Sequence, residues 1–170
     1  YGSAEAYGID ESWLDVTSSV SLKGDGFRIA QEISDRIKFE LGITISVGVS
    51  FNKIFAKLGS DYKKPDAITT MYQDEFQTKA WELPVGDLLY VGRSTRQKLL
   101  KSGIYTIGDL ARAEESFLAS LLGKMGSVLW GFANGYDDSP VRKENTHAPI
   151  KSIGNSITTH RDLINDADVK

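Results

Sequence analysis

Tyr7-Gly8-Ile9-Asp10-Glu11-Ser12-Trp13-Leu14-Asp15-Val16-Thr17 sets two adjacent acids inside a run that otherwise favours extended backbone. Ala6-Tyr7-Gly8-Ile9 leads in, and Trp13, Leu14, Val16 and Thr17 lead out, in residue types suited to a pleated, half-buried surface. The pattern reads as two short strands joined by a tight turn, with Asp10 and Glu11 at the tip. Adjacent carboxylates repel each other and resist burial, so a positive partner is expected beside them. A hard divalent cation fits, because magnesium takes oxygen ligands and needs only one or two protein carboxylates beside substrate phosphates. Taken alone, however, an Asp-Glu pair in a turn is more often solvated turn chemistry.

Working outward, residues 25–41 carry Phe27, Ala30, Ile33, Ile37 and Leu41 at close to helical spacing, with Gly42 as the stop signal. Arg28, Glu32, Asp35 and Lys38 form the outer face, read as merely solvated. Ile43 to Val49 alternates with period two and predicts a strand. Strand, helix, strand in that order suggests a split βαβ unit with one helical layer on a sheet. Ser50 is the expected N-cap of a further helix reaching about Tyr62, with Ile54, Phe55 and Leu58 inward. Lys53 and Lys57, four apart, share one face of it, read as solvent-facing. Pro65 cannot continue that helix, and Lys64 stands in the break. A short strand at Ala67–Met71 and a helix from Asp74 to Trp81 follow.

Leu83-Pro84-Val85 marks a change of texture. Short helices with glycine punctuation are expected beyond it, at 87–90, 94–101, 107–111, 114–122 and 125–133. Between Asp87 and Asp109 there is no acid, while Arg93, Arg96, Lys98 and Lys101 make a local basic patch on a chain of net charge −3. Leu88 to Leu99 reads as helix, hairpin, helix, with Gly92 allowing the turn and Ser94 or Thr95 capping the second helix. The free N–H groups of that helix start, with Arg93 and Arg96, would hold phosphate without reading a base. After Asn134-Gly135 the chain turns polar and linker-like, and Lys151 to Thr159 alternates like a strand with nothing downstream to pair with.

Composition excludes several classes. Hydrophobic residues at 41% and charged residues at 25% describe a globular chain of 170 residues. There is no cysteine, which removes disulfides and cysteine-bound zinc, and His147 and His160 both lie in a polar tail. No run is apolar enough to span a bilayer and no signal peptide is visible, so a cytoplasmic protein without membrane contact is expected.

Gly8 to Asp15 resembles the Ser-Ile-Asp-Glu-Ala-Phe-Leu-Asp signature of Y-family (DinB/ImpB/MucB/SamB) translesion DNA polymerases. Val47-Gly48-Val49-Ser50-Phe51-Asn52-Lys53-Ile54-Phe55-Ala56-Lys57, then Ser60-Asp61-Tyr62-Lys63-Lys64-Pro65, is similar to that family's Gly-Val-x-x-Asn-Lys-x-x-Ala-Lys-x-Ala-Ser-Asp-x-x-Lys-Pro stretch. Tyr90-Val91-Gly92 stands where the family's thumb has Gly-Val-Gly, and Lys151 to Thr159 resembles the opening of its little-finger domain. Two positions depart from the pattern: Gly8 replaces a serine and Tyr90 replaces the first hairpin glycine.

The resemblance implies an α+β chain: a partial ferredoxin-like palm over residues 1–82, a small all-α helix-hairpin-helix thumb over 83–136, and a linker with the first little-finger strand over 137–170. It implies metal binding and catalysis by Asp10 and Glu11, triphosphate binding by Lys64, and DNA-backbone binding by Gly92, Arg93, Ser94, Thr95 and Arg96. Asp15 is assigned a structural role on an exposed strand position. Two Mg2+ ions, with Mn2+ as a substitute, are the implied cofactors. Primer-template DNA and dNTP are the implied partners, with a sliding clamp reached through regions outside this stretch. Strand entry within a few residues of Tyr1 and the missing upstream aspartate point to a truncated, inactive piece of an error-prone repair polymerase. The alternatives are a non-catalytic DNA-binding protein of the same fold and a palm-type nucleotide cyclase.

Overall fold

The structure, a computed structural model, describes residues 3–143 and 152–165. Strand β1 (Ala4–Tyr7) pairs antiparallel with β2 (Glu11–Leu14), placing Ala4 opposite Leu14 and Tyr7 opposite Glu11. Residues 8–10 make the turn, with Gly8 at φ +76°, a left-handed conformation that glycine adopts without steric cost. The expected hairpin is therefore present, with Asp10 in the turn and Glu11 opening β2.

A 3-10 turn at Thr17–Ser19 and the short α1 (Val20–Lys23) precede α2 (Gly26–Leu41). Asp25 caps α2 by accepting from the Arg28 N–H, and Gly42 ends it at φ +71°. Its outer face is more than solvated: Glu32 pairs with Lys23 at 2.7 Å, and Lys38 with Asp66 at 2.5 Å. Strand β3 (Val47–Ser50) is shorter than the alternation predicts. Its parallel partner β4 (Ile68–Met71) is four residues long, so residues 43–46 find no ladder there and Ile43 stays 56% exposed.

Helix α3 (Lys53–Tyr62) crosses between these two strands. Its N-cap is Asn52, whose side-chain Oδ1 accepts from the Phe55 N–H at 2.9 Å, and not Ser50. Ser50 is still in β3, and its hydroxyl donates to the Met71 carbonyl. The crossover is tight because Gly48 lies against α3: a Cβ there would fall 1.9 Å from the Ala56 carbonyl oxygen. The two sheets stay separate, β1–β2 and β3–β4. The split βαβ expected from β2, α2 and β3 thus appears as a hairpin beside a β3–α3–β4 unit.

Helix α4 (Phe76–Ala80) and a 3-10 turn at Val85–Asp87 lead into α5 (Arg93–Lys101), α6 (Ile107–Arg112), α7 (Glu115–Leu122) and α8 (Lys124–Ala133). The helix expected at 87–90 does not form. Leu88 is extended and Tyr90 is left-handed, so the chain enters α5 through a loop. A single apolar cluster runs from Ile54, Phe55 and Leu58 of α3, through Met71 and Phe76, to Leu99, Ile107, Leu110, Leu118 and Leu129 of the later helices. The change in texture at Pro84 is therefore not a gap in the core. Trp81 bonds across it, its indole N–H donating to the Ala133 carbonyl at 3.0 Å.

Residues 152–159 form no strand and are exposed, because no neighbouring strand offers them a ladder. Lys151, the first residue of that expected strand, lies outside the described residues, as does His147. Among the described residues, no helix is long and apolar enough to cross a membrane.

Candidate nucleotide and metal cleft

The pleat of the hairpin decides which side chains meet α3. Glu5, Tyr7, Glu11 and Trp13 alternate with their neighbours and pair across the register, so they share one face. Tyr7 and Trp13 pack ring to ring at 4.5 Å, and the Trp13 indole N–H donates to the Lys53 carbonyl at 3.1 Å. Lys53 and Lys57, one turn apart, each take one acid of this face. Lys53 Nζ lies 2.5 Å from Glu5 Oε2, and Lys57 Nζ lies 2.8 Å from Glu11 Oε1.

Neither lysine is a solvated surface residue as the sequence suggested. Their side chains are 12% and 17% exposed, and each answers a carboxylate brought in by the hairpin. Their spacing alone could have revealed a shared face. The acids opposite them come from strands more than 40 residues away.

The cleft between hairpin, α2, β3 and α3 has a volume of about 650 Å³. It is lined by apolar residues, among them Ile29, Ile33, Ile37, Val47 and Val49, and by polar ones, among them Asp10, Glu11, Lys57, Ser60 and Lys64. Three residues singled out from sequence, Asp10, Glu11 and Lys64, all line this cleft. Asp10 is exposed and Glu11 half-buried. Lys64 sits just past α3, at a cis peptide bond to Pro65, and is held by Asp61 Oδ1 at 2.7 Å.

Asp61 also takes Lys57 through Oδ2 at 2.6 Å, which makes a continuous charged chain Glu11–Lys57–Asp61–Lys64. Partial burial pulls the Lys57 ammonium down, but its bonds to Asp61 and Glu11 outweigh that and leave it above the usual lysine range. Burial likewise pushes Asp61 up, and Lys57 and Lys64 more than reverse it, holding the carboxyl below its usual range. Both acids offer carboxylate oxygens of the kind a hard cation takes, with the Lys57 ammonium already on Glu11 Oε1. Among the described residues no third Asp, Glu, His or Cys completes a metal-binding group. Asp15 lies just past β2 and is structural: its carboxylate accepts from the Thr17 N–H at 3.0 Å.

The residues expected to grip nucleic-acid backbone lie outside this cleft, at the start of α5. Gly92 is the N-cap at φ −73°, and no side chain caps the helix, so neither Ser94 nor Thr95 plays that part. Both fall within the first turn, behind Arg93, where N–H groups lack intrahelical partners. The sharp turn belongs to Tyr90 and not to Gly92. Tyr90 sits at φ +70°, the backbone region glycine would serve, with its ring 6.0 Å from Phe132. The replacement thus keeps the glycine-like conformation. Around Gly92 there is open space within 4 Å of a would-be Cβ, and Arg93, Ser94 and Arg96 are exposed.

Comparison with known proteins finds similar sequences and folds. Residues 1–61 match the impB/mucB/samB family. The chain is 59% identical over 166 residues to a DNA polymerase IV from Acetivibrio thermocellus, covering 98% of this chain and 42% of that protein. A DNA polymerase IV from Clostridium acetobutylicum is 41% identical over 160 residues, with 94% and 39% covered. The crystal structure of DinB from Sulfolobus solfataricus superposes with a TM-score of 0.73 at 30% identity, over 83% of this chain and 42% of that one. An insertion ternary complex of Dbh DNA polymerase gives 0.73 at 30% identity, over 82% and 41%. The family match is thus carried by residues 1–61, and the likeness to DNA polymerase IV relatives and to DinB and Dbh structures runs along most of the chain. The chain spans about two-fifths of the length of the curated relatives it matches.

Proposed function

We propose that this chain carries the carboxylate-bearing part of the palm (1–82), the thumb (83–136) and the following linker (137–170) of an error-prone, template-directed DNA polymerase acting in damage tolerance. The observation that carries the reading is the convergence of Asp10, Glu11 and Lys64 on one cleft. That is the arrangement needed to hold a nucleoside triphosphate against a metal site.

Each residue then has a task. Asp10 and Glu11 hold Mg2+, or Mn2+ in its place, at the hairpin tip. When bound, the ions supply Lewis acidity, lowering the pKa of the primer 3′-hydroxyl and taking up charge on the leaving pyrophosphate. Lys64 presents a flexible ammonium to the triphosphate of the incoming dNTP. Asp61 keeps that ammonium near the cleft mouth until a phosphate displaces it. At the start of α5, the N–H groups behind Gly92, with Ser94, Thr95, Arg93 and Arg96, take the duplex backbone, an interaction independent of sequence. A cytoplasmic location fits this work. A sliding clamp would be met through regions outside this stretch.

The test is primer extension by the full-length protein on a primed template with Mg2+ and dNTPs, beside its Asp10→Ala variant. Extension that disappears in the variant supports the polymerase and the metal role together. Extension by both removes Asp10 from the site. Extension by neither, with primed DNA still bound, leaves a non-catalytic DNA-binding protein. Formation of a cyclic nucleotide from ATP or GTP would replace the reading with a cyclase.

A further inference from the structure

Beyond α8 the chain does not simply leave the molecule. Asn52 donates through Nδ2 to the Gly135 carbonyl at 3.1 Å, which lays the chain across the start of α3. Seven residues on, Arg142 reaches β1. Its backbone N–H donates to Glu5 Oε2 at 2.8 Å, and its Nε and a terminal guanidinium nitrogen donate to Oε1 at 3.0 and 2.8 Å. Lys53 Nζ supplies the fourth bond at 2.5 Å, and its ammonium also stands 5.0 Å from the centre of the Trp13 ring.

Glu5 is thus a carboxylate 8% exposed, with both oxygens doubly used, at the meeting point of three segments remote in sequence. A desolvated carboxylate tolerates this only while its cations remain. Withdrawing one leaves a buried charge short of compensation. Glu5 lies on the same pleated face as Glu11, and that hairpin face is tied to α3 through Trp13–Lys53, Glu5–Lys53 and Glu11–Lys57.

We infer that residues 137–143 form a strap whose Arg142 seats the carboxylate hairpin on α3, making Arg142 and Glu5 positioning residues for Asp10 and Glu11. Neither touches the cleft; they act through the rigid pleat. The inference takes its functional meaning from the metal role proposed above, but its structural core stands without it. Moving the strap moves the acids, so the path of the chain after α8 and the metal site are one coupled unit.

The experiment is hydrogen exchange by mass spectrometry on the full-length protein, comparing wild type, Arg142→Gln, Glu5→Gln and the double variant, with Mn2+ binding followed by electron paramagnetic resonance. Arg142→Gln should raise exchange in residues 4–14 about tenfold, leave α5–α8 protected, and weaken Mn2+ about three- to tenfold. The double variant removes the buried carboxylate but leaves the Lys53 ammonium, 12% exposed, without its acid, so it should recover only part of both. Unchanged exchange in 4–14 overturns the strap, as does an equal rise in α5–α8, which would make Arg142 a general stability residue. Failure of the wild type to bind Mn2+ refutes the metal reading instead, and the exchange data still decide whether the strap seats the hairpin.

Discussion

The ammonium of Lys57 rests on Glu11 at 2.8 Å, on one of the two carboxylates proposed above as metal ligands. It is also held by Asp61 at 2.6 Å. One positive charge therefore already compensates the acidic tip, supplied from α3.

Replacing that lysine by an isosteric apolar residue separates its two effects. Lys57→Met should lower stability by about 1 kcal/mol, the size of a part-exposed ion pair, and tighten Mn2+ binding severalfold, because no ammonium competes for Glu11. Thermal melting and paramagnetic titration check the two halves. Weaker binding in the variant would mean that Lys57 orients Glu11 more than it competes.

Acid should release the hairpin before it melts the helices. Burial raises Glu5, but the bonds from Arg142 and Lys53 outweigh it and bring its pKa down to about 2 from the ordinary 4.5. Such a group stabilises the fold fully above about pH 4.5 and loses that contribution as pH falls toward 2. The contribution is about 1–2 kcal/mol once discounted for Arg142, whose side chain is 57% exposed. Melting curves from pH 6 to pH 3 should fall less steeply for Glu5→Gln than for wild type.

Two glycines should behave in opposite ways. Gly48→Ala drives a methyl group to 1.9 Å from the Ala56 carbonyl oxygen and should cost about 3 kcal/mol or more. Gly92→Ala enters open space in an ordinary backbone conformation and should change stability by less than about 0.5 kcal/mol, while weakening DNA binding by holding the phosphate off α5. Denaturant unfolding and DNA titration read the pair. A large stability loss at Gly92 would mean the loop before α5 is tighter than its surroundings indicate.

Arg93→Gln should weaken binding of primed DNA to a similar degree for every sequence, and flatten the salt dependence by about one unit of slope. Arg96→Gln should do less, because the Arg96 aliphatic stem lies against Gly86, its Cδ 2.8 Å from a would-be Cβ there. Fluorescence anisotropy across a salt series checks both. Loss confined to one DNA sequence would contradict backbone contact.

Local signals in the chain were sufficient for whatever depends on neighbours in sequence. The turn at Asp10 is set by flanking strand formers and Gly8, the length of α2 by Asp25 and Gly42, and the stop after α3 by Pro65. The motifs around Asp10–Glu11 and Lys64 were readable for the same reason, since each is contiguous. Errors arose where a local rule had a competitor. Ser50 is a good cap by type, but β3 claims it, and its hydroxyl goes to Met71. Residues 43–46 alternate like a strand, but β4 is too short to pair them. The helix at 87–90 gave way to the left-handed turn at Tyr90.

Only the folded chain decided the charges. Asp61, four residues on, is a local partner for Lys57, but nothing near Lys53 or Lys57 points to Glu5 or Glu11, and nothing near Arg142 points to Glu5, 137 residues earlier. An amphipathic pattern reports which face is polar, not what that face will meet. Partners are chosen when apolar burial in α3 and the later helices brings distant segments together, and desolvation then makes each buried acid demand its cation.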